Sequence, residues 1–186
     1  MTIQLGNLAA ALLLLTAGLR AGDVPVNADS VIIADFQKRV ADYAQLRKGV
    51  EANLPPLKSS PSPARLSRQE NTLTRAMREA RKNSKQGDIF SPRIAMELRR
   101  LISIAMQPSD AAHIRQSLRH AEPVRLRLRI NDPYPERVPL QSTPPSLLAN
   151  LPRLPPEIEY RIIGEDLILL DTKANLVVDI LNGAFA

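Results

Sequence analysis

The distribution of proline restricts the fold of this chain more than any other sequence feature. Nine of its sixteen prolines lie between Pro123 and Pro156. Because proline lacks a backbone N–H and fixes φ, this density excludes a regular helix or a central strand there. The segment is therefore predicted to be an extended connector with one turn at 146–151. Its leucines are expected to pack across the helices, since they would otherwise be exposed: Leu140, Leu147, Leu148, Leu151 and Leu154.

Before this connector, apolar residues recur at the three- and four-residue spacing of a helix face. Local signals indicate where the helices begin and end. Asp29 or Ser30 is expected to cap the first helix, and Gly87 to end the second. Ser91 is expected to cap the third, with Pro92 at its first position. The predicted helices cover 31–54, 64–86, 92–107 and 109–121.

After Pro123 the pattern changes from helix to strand. Residues 124–130 alternate strictly between apolar and basic, which predicts a half-buried strand with one cationic face. Residues 159–163 and 167–170 predict a hairpin with the three-residue loop 164–166. Residues 176–181 are predicted to form a third strand or a short helix. The fold class is therefore α+β, with three to four amphipathic helices, a proline-rich connector and a small C-terminal antiparallel β unit.

The N-terminus has the pattern of a secretory signal peptide. Its apolar stretch, 8–17, is shorter than the roughly 20 residues that a transmembrane helix needs, so no transmembrane span is expected in the mature form. Cleavage-like patterns end at Ala21 and Ala28. We therefore expect export to the periplasm or the extracellular space, and an amphipathic or buried N-terminal helix is the alternative. The predicted division is a signal peptide at 1–28, a helical region at 29–122, and a connector and β unit at 123–186, packed with the helices as one domain.

The chain contains no cysteine. This excludes disulfides, a thiolate nucleophile, cysteine-ligated metal sites and a bacterial lipoprotein anchor. The mature chain must therefore be stabilised by its apolar core.

Catalytic and metal-binding patterns are poorly supported. There is no Gly-x-Ser-x-Gly motif. His113 and His120 are seven residues apart on a predicted helix, about 10 Å along its axis, so one metal cannot bind both. They are interpreted as surface histidines. No enzymatic activity, cofactor or metal is predicted. Four C-terminal carboxylates are interpreted as turn formers and strand-end charges: Glu165, Asp166, Asp171 and Asp179.

The net charge of +6 is unevenly distributed. Residues 64–100 contain ten basic and four acidic residues, whereas 157–186 contain two basic and six acidic. The favoured interpretation is a solvated helix face complemented by the acidic C-terminal end. The alternative is a polyanion-binding surface. Because aromatic residues are only 3% of the chain, specific nucleic-acid recognition is not expected. The candidate polyanion-binding residues are Arg68, Arg75, Arg78, Lys82, Arg125, Arg127 and Arg129.

One charged residue interrupts the apolar face of the first predicted helix. Arg47 lies between Tyr43 and Val50, both on that face. Two interpretations remain open. The favoured one is a side chain that extends its charged end into water, and the other is a buried ion pair that specifies a partner helix.

Two stretches together resemble an uncharacterised family of secreted bacterial proteins with no known activity. They are Lys85–Pro92 with Leu98–Ile102, and Leu151–Asp171 with Ala174–Asp179. The resemblance implies export and a helix-rich first half, and it carries no catalytic residues. The Tyr-x-x-x-Gly-x-Asp-Leu-x-Leu unit is also loosely similar to the end of small periplasmic metal-homeostasis proteins, although the chain is poor in histidine.

These observations predict a non-catalytic exported protein that acts through protein contacts or in envelope maintenance. Its partner would be an unknown protein or an anionic envelope component. The alternative function is a polyanion-binding module that uses the seven basic residues named above.

Overall fold

In the computed structural model, the described residues are 27–55, 63–107, 116, 127–135 and 143–186, with side chains described from residue 70 onward in the second helix. The α+β fold class is confirmed. Helices are followed by a three-stranded antiparallel sheet of order β1-β2-β3. Within the described part of the chain, no helix is both long and apolar enough to span a bilayer. The elements are α1 (Ala28–Ala52), α2 (Pro63–Ala80), α3 (Pro92–Ala105), α4 (Pro145–Leu148), β1 (Ile158–Ile163), β2 (Asp166–Asp171) and β3 (Leu176–Leu181).

Helix α1 begins three residues before the predicted start. Its N-cap is Asn27, whose side chain accepts a hydrogen bond from the Asp29 N–H, so neither Asp29 nor Ser30 is the cap. An asparagine at this position satisfies an N–H that has no partner within the helix. The preceding residues, which carry the predicted signal sequence, lie outside the described residues. Its last two predicted residues, Asn27 and Ala28, cap and begin α1.

Helix α2 ends at Ala80, six residues before the predicted end. The chain turns at 81–83. Gly87 has the left-handed φ of +90°, but in the loop before α3 and not at the end of α2. The residues beyond Ala80 continue the polar and apolar spacing of a helix, but the helix stops there. The Arg81 side chain turns inward and donates to the Val178 carbonyl of the sheet. The boundary of α3 was predicted correctly, with Ser91 as N-cap and Pro92 as first residue.

The three long helices pack on one face of the sheet. Apolar side chains of α1, α2 and α3 form one buried cluster with inward residues of the strands. At its centre, the ring of Phe36 stacks on Phe90 at 6.0 Å and on Tyr160 at 6.4 Å between centroids. The opposite face is covered by Tyr134, with Leu128 and Ile130 partly buried beside it. Because β2 and β3 are covered on both faces, they are continuously apolar rather than alternating.

The predicted strand over 124–130 is wrong for the residues that the structure describes. Residues 127–130 belong to no strand. A turn follows, in which the Asp132 carboxylate accepts a hydrogen bond from the Arg129 N–H and Asn131 has a φ of +64°. The chain meets β3 only after this turn, where Pro133 forms a bridge with Leu176. The predicted alternation in exposure is nevertheless correct from Arg127 to Ile130.

The C-terminal prediction was close. Residues 176–181 are a strand, and the hairpin loop has two residues, Gly164 and Glu165, because Asp166 already pairs with Ile163. Gly164 has a φ of +59°, as the first loop position of a two-residue hairpin requires. The connector contains the expected turn, as the short helix α4. Of the predicted fourth helix only Gln116 is described, and it is helical and exposed. Leu140 lies outside the described residues.

An irregularity in β3 decides where Asp179 points. Leu169 pairs with Asp179, but the next residue, Leu170, pairs with Val177, so β3 contains one extra residue. Such a bulge redirects a side chain. Val178 packs in the helix-side cluster, and Asp179 also faces the helices, where it meets the loop before α3.

The Asp179 carboxylate holds this loop in place. It is fully buried, and it accepts hydrogen bonds from the N–H groups of Gly87 (2.9 Å), Ile89 (2.9 Å) and Phe90 (2.8 Å). The loop positions Phe90 in the core and Ser91 at the start of α3. One strand carboxylate therefore determines how α2 connects to α3.

Replacing this carboxylate with an amide tests its role. Asp179→Asn places an NH₂ group or a neutral oxygen against three N–H donors, and we expect it to lower the free energy of unfolding by about 3 kcal/mol. Asp42→Asn is the matched control, because the Asp42 side chain is 63% exposed and should change stability by less than about 0.5 kcal/mol. Urea denaturation measures both. Equal effects of the two substitutions would contradict the assigned role.

Candidate functional site

Two buried carboxylates organise the polar interior of the protein. Asp171 and Asp179 are both fully buried, at the end of β2 and within β3. A buried carboxylate is unfavourable unless charge and hydrogen bonds compensate for its lost hydration. The contacts of Asp179 are described above, and those of Asp171 come from α1 and from the turn after β2.

Asp171 binds α1 to the sheet. One carboxylate oxygen accepts a hydrogen bond from the Tyr43 hydroxyl at 2.7 Å, and the other forms an ion pair with Arg47 at 2.9 Å. The second oxygen also accepts the N–H groups of Lys173 and Ala174. Tyr43 and Arg47 are one turn apart on α1, so both reach the same strand end.

This contact decides between the two interpretations of Arg47. The residue is 4% exposed and forms a second ion pair with Glu157 at 2.8 Å. The favoured interpretation, a side chain extending into water, is wrong. The buried ion pair is confirmed, and its partner is the sheet rather than another helix. Asp171 and Glu157 each accept a hydrogen bond from a different nitrogen of the Arg47 guanidinium.

Arg81 is a further buried arginine, and no motif in the sequence marks it. Its guanidinium lies 4.9 Å from the centre of the Tyr43 ring and donates to Asn131 and to the Val178 carbonyl, both at 2.7 Å. Burial lowers the pKa of this guanidinium, while Tyr43 and Asp179 act in the opposite direction. The only sequence indication was its position four residues after Met77, on the inner side of the predicted second helix.

The oxygens of both buried carboxylates are occupied by donors of the protein itself. Each oxygen of Asp171 and of Asp179 accepts at least one hydrogen bond. These hydrogen bonds stabilise the fold, and they leave neither carboxylate with an unbound oxygen that could hold a substrate. Across the part of the chain that the structure describes, no three His, Cys, Asp or Glu residues are placed to hold a metal ion.

The interpretation of the acidic residues as turn formers is correct in part. Asp166 is the first residue after the hairpin loop and accepts a hydrogen bond from the Gly183 N–H. Asp171 accepts the Ala174 N–H and so closes the turn after β2. Asp179 is different, because it lies inside a strand and binds a distant loop. An aspartate within the apolar run of 176–181 was the available sequence indication.

The predicted basic residues are partly brought together. Arg75 and Arg78 lie on the exposed face of α2, and Lys82 is exposed in the turn that follows it. The segment that carries Arg127 and Arg129, both exposed, is attached to the end of this helix. The attachment is made by the side chain of the nearby Asn131, which donates to the Arg81 carbonyl at 3.0 Å. We call these five residues the basic surface. The Arg68 side chain, Arg125, His113 and His120 lie outside the described residues.

A groove of about 500 Å³ accompanies the basic surface. Arg75 and Arg78 lie on its helix side and Pro133 on the other. Threonine and asparagine side chains of α2 complete the lining. The groove therefore combines cationic and hydrogen-bonding groups.

Among the described residues, no ion pair joins the basic surface to the acidic C-terminal end, although Arg127 and Asp166 line the same groove. Lys82 pairs with Glu79, three residues earlier at the end of α2, at 2.8 Å. The other four members form no ion pair with any described residue. The acidic residues of the C-terminal part pair elsewhere, such as Glu157 with Arg47 and Glu159 with Arg161.

The Tyr43–Asp171 contact predicts a dependence of stability on alkaline pH. Burial, and then the adjacent carboxylate, raise the pKa of the Tyr43 hydroxyl. A raised pKa in the folded state stabilises the protein fully below the unfolded-state value of about 10, and this stabilisation is lost as the pH rises above it.

Tyr43→Phe should therefore lower the free energy of unfolding by about 2 kcal/mol near neutral pH, through loss of the hydrogen bond. Above about pH 10, the free energy of unfolding should fall with pH less steeply in the variant than in the unsubstituted protein. The difference between the two slopes should be about 1.4 kcal/mol per pH unit. Denaturant unfolding at pH 7 to 11 measures both effects. Parallel alkaline slopes would refute the contact.

Comparison with known proteins does not assign the chain to a family. No family match was found, and no curated protein or solved structure gave a significant match. The function must therefore be inferred from the surfaces and contacts described above.

Proposed function

We propose that this chain is an exported, non-catalytic protein that binds an anionic polymer or an anionic envelope surface through its basic surface. One observation carries the proposal. Arg75, Arg78, Arg127 and Arg129 are exposed and form no ion pair among the described residues. Two of them line a groove of about 500 Å³.

The arrangement of charges on α2 suits an extended anion. Arg75 and Arg78 lie three residues apart on the exposed side of α2, so their side chains project in similar directions. Lys82 follows in the turn after the helix. A row of guanidinium groups can contact successive phosphates, sulfates or carboxylates, and arginine binds such groups through paired hydrogen bonds.

A non-catalytic role agrees with the buried polar groups. The buried carboxylates and the Tyr43 hydroxyl already bind partners within the protein. A catalytic group needs a position from which it can reach a substrate. The polar interior therefore favours a structural role for these residues and supports a binding function at the surface.

Export remains part of the proposal. It rests on the apolar stretch 8–17, its short length and the cleavage patterns after it. Cleavage after Ala21 would retain Asn27, the N-cap of α1, whereas cleavage after Ala28 would remove it. Stability of α1 thus favours the earlier position. The resemblance to secreted bacterial proteins supports the same location.

A protein partner is the second candidate. Met96 is 65% exposed and Ile104 46%, on the outer side of α3. These side chains are eight residues apart, so they share one face of the helix. Exposed apolar side chains of this size are available for contact with another protein. Its binding would not depend on the basic surface.

Binding to vesicles that contain anionic phospholipid tests the leading proposal. Each basic residue near such a surface contributes about 1 kcal/mol. Arg75→Gln with Arg78→Gln should therefore weaken partitioning about thirtyfold, and added salt should weaken the binding of the unsubstituted protein. Retention on heparin should fall in parallel. Cosedimentation and salt-gradient elution provide the measurements.

The control is a double substitution with the same loss of charge elsewhere. Lys48 and Arg93 are both exposed and lie outside the groove. Lys48→Gln with Arg93→Gln should retain most of the affinity. If both double variants weaken binding equally, only net charge matters and the proposed surface is wrong. Absence of binding at low salt would also overturn the proposal.

A further inference from the structure

A second groove, of about 540 Å³, lies beside β1 and is separate from the basic surface. Its apolar lining comes from α4, the chain that follows α4, and the start of β1. We call it the leucine groove. Its apolar members are Leu148, Leu151, Pro152, Leu154 and Ile158. A groove of this volume falls within the range of small-molecule sites, about 300–1,000 Å³, which are mostly apolar with a few polar groups.

We propose that the leucine groove binds a free long-chain carboxylic acid. The acyl chain would lie on the leucines and the carboxylate would bind Arg153. Leu148, which the sequence predicts to pack against the helices, is 42% exposed at this site. Leu151, in contrast, is 6% exposed and forms part of the groove's fixed wall.

The polar groups of the groove distinguish an acyl chain from a peptide. A peptide would need free backbone donors and acceptors on β1. Here the Ile158 N–H donates to the Pro155 carbonyl and the Tyr160 carbonyl accepts from the Thr143 hydroxyl. The Tyr160 hydroxyl donates to Pro152. Two of the backbone groups on this edge of β1, the Ile158 N–H and the Tyr160 carbonyl, are therefore not available to a peptide. This interrupts the hydrogen-bond ladder that an added strand requires, whereas an acyl chain needs no ladder.

Arg153 supplies the charge for one end of the ligand. It is exposed and forms no ion pair with any described residue. Glu159, which also lines the groove, is paired with Arg161, so its charge is compensated. Pro152 precedes Arg153, and the Tyr160 hydroxyl binds the Pro152 carbonyl at 3.0 Å. The backbone that carries Arg153 is therefore positioned before any ligand binds, which lowers the entropic cost of binding.

Isothermal titration calorimetry on the full chain tests the proposal. The ligands are octanoate, decanoate and dodecanoate, each kept below its critical micelle concentration. If the acyl chain is buried, affinity should increase about twofold to fourfold for each added methylene. Decanol, which lacks the charge, should bind at least fivefold more weakly than decanoate. Affinity independent of chain length, or no measurable binding of dodecanoate, would overturn the proposal.

Variants locate the binding. Arg153→Gln should lower the affinity for decanoate at least fivefold and leave the affinity for decanol unchanged. Leu148→Gln should lower the affinity for both ligands. Matched controls are Arg93→Gln and Leu46→Gln, because Arg93 is also exposed and Leu46 is 41% exposed. Circular dichroism and thermal unfolding check that each variant folds. Equal effects of the site variants and their controls would refute the assignment.

The same measurement separates this inference from the proposed function. Arg75→Gln with Arg78→Gln should leave decanoate affinity unchanged, because those residues line the other groove. A loss of decanoate binding in that variant would assign the ligand to the basic surface and contradict the leucine groove.

Discussion

Burial of two aspartates on the sheet is the constraint on which the other contacts depend. Asp171 and Asp179 are fully buried, and each requires several donors to offset the loss of hydration. The donors come from different parts of the chain. Tyr43 and Arg47 of α1 bind the first carboxylate, and the loop before α3 binds the second. The C-terminal sheet thereby fixes the position of the helical part.

This arrangement separates internal from external charge. Arg47 and Arg81, both nearly inaccessible, satisfy groups of the sheet and turns. The arginines on the outer face of α2 do not take part in that network, and they form no ion pair among the described residues. The arginines therefore form two groups, one buried that binds the sheet and turns, and one exposed to solvent. Only the second is available to a ligand.

Local rules predicted much of the secondary structure. The start of α3 followed from Ser91 and Pro92, whose effects act within one helical turn. The hairpin followed from two apolar runs around Gly164. These features depend on neighbours in sequence. The proline-rich connector was also recognisable, because proline acts on its own backbone and on the preceding residue.

The remaining features depend on contacts distant in sequence. Whether Arg47 extends into water depends on Asp171, 124 residues away. The end of α2 depends on Arg81, whose partner carbonyl belongs to Val178. Asp179 faces the helices only because β3 contains a bulge. For the candidate site, charge patterning found the exposed arginines, but neither groove could be predicted before the connector and helices were placed together.

Hydrogen exchange at the amides bound by the buried carboxylates tests the central claim most directly. The N–H groups of Ile89, Phe90 and Ala174 lie outside the helices and strands, yet each donates to an aspartate oxygen at 2.8–2.9 Å. If these contacts hold the sheet and helices together, their protection should match that of Leu169 in β2 and approach the limit of global unfolding. Rapid exchange at these three amides while Leu169 remains protected would contradict the account.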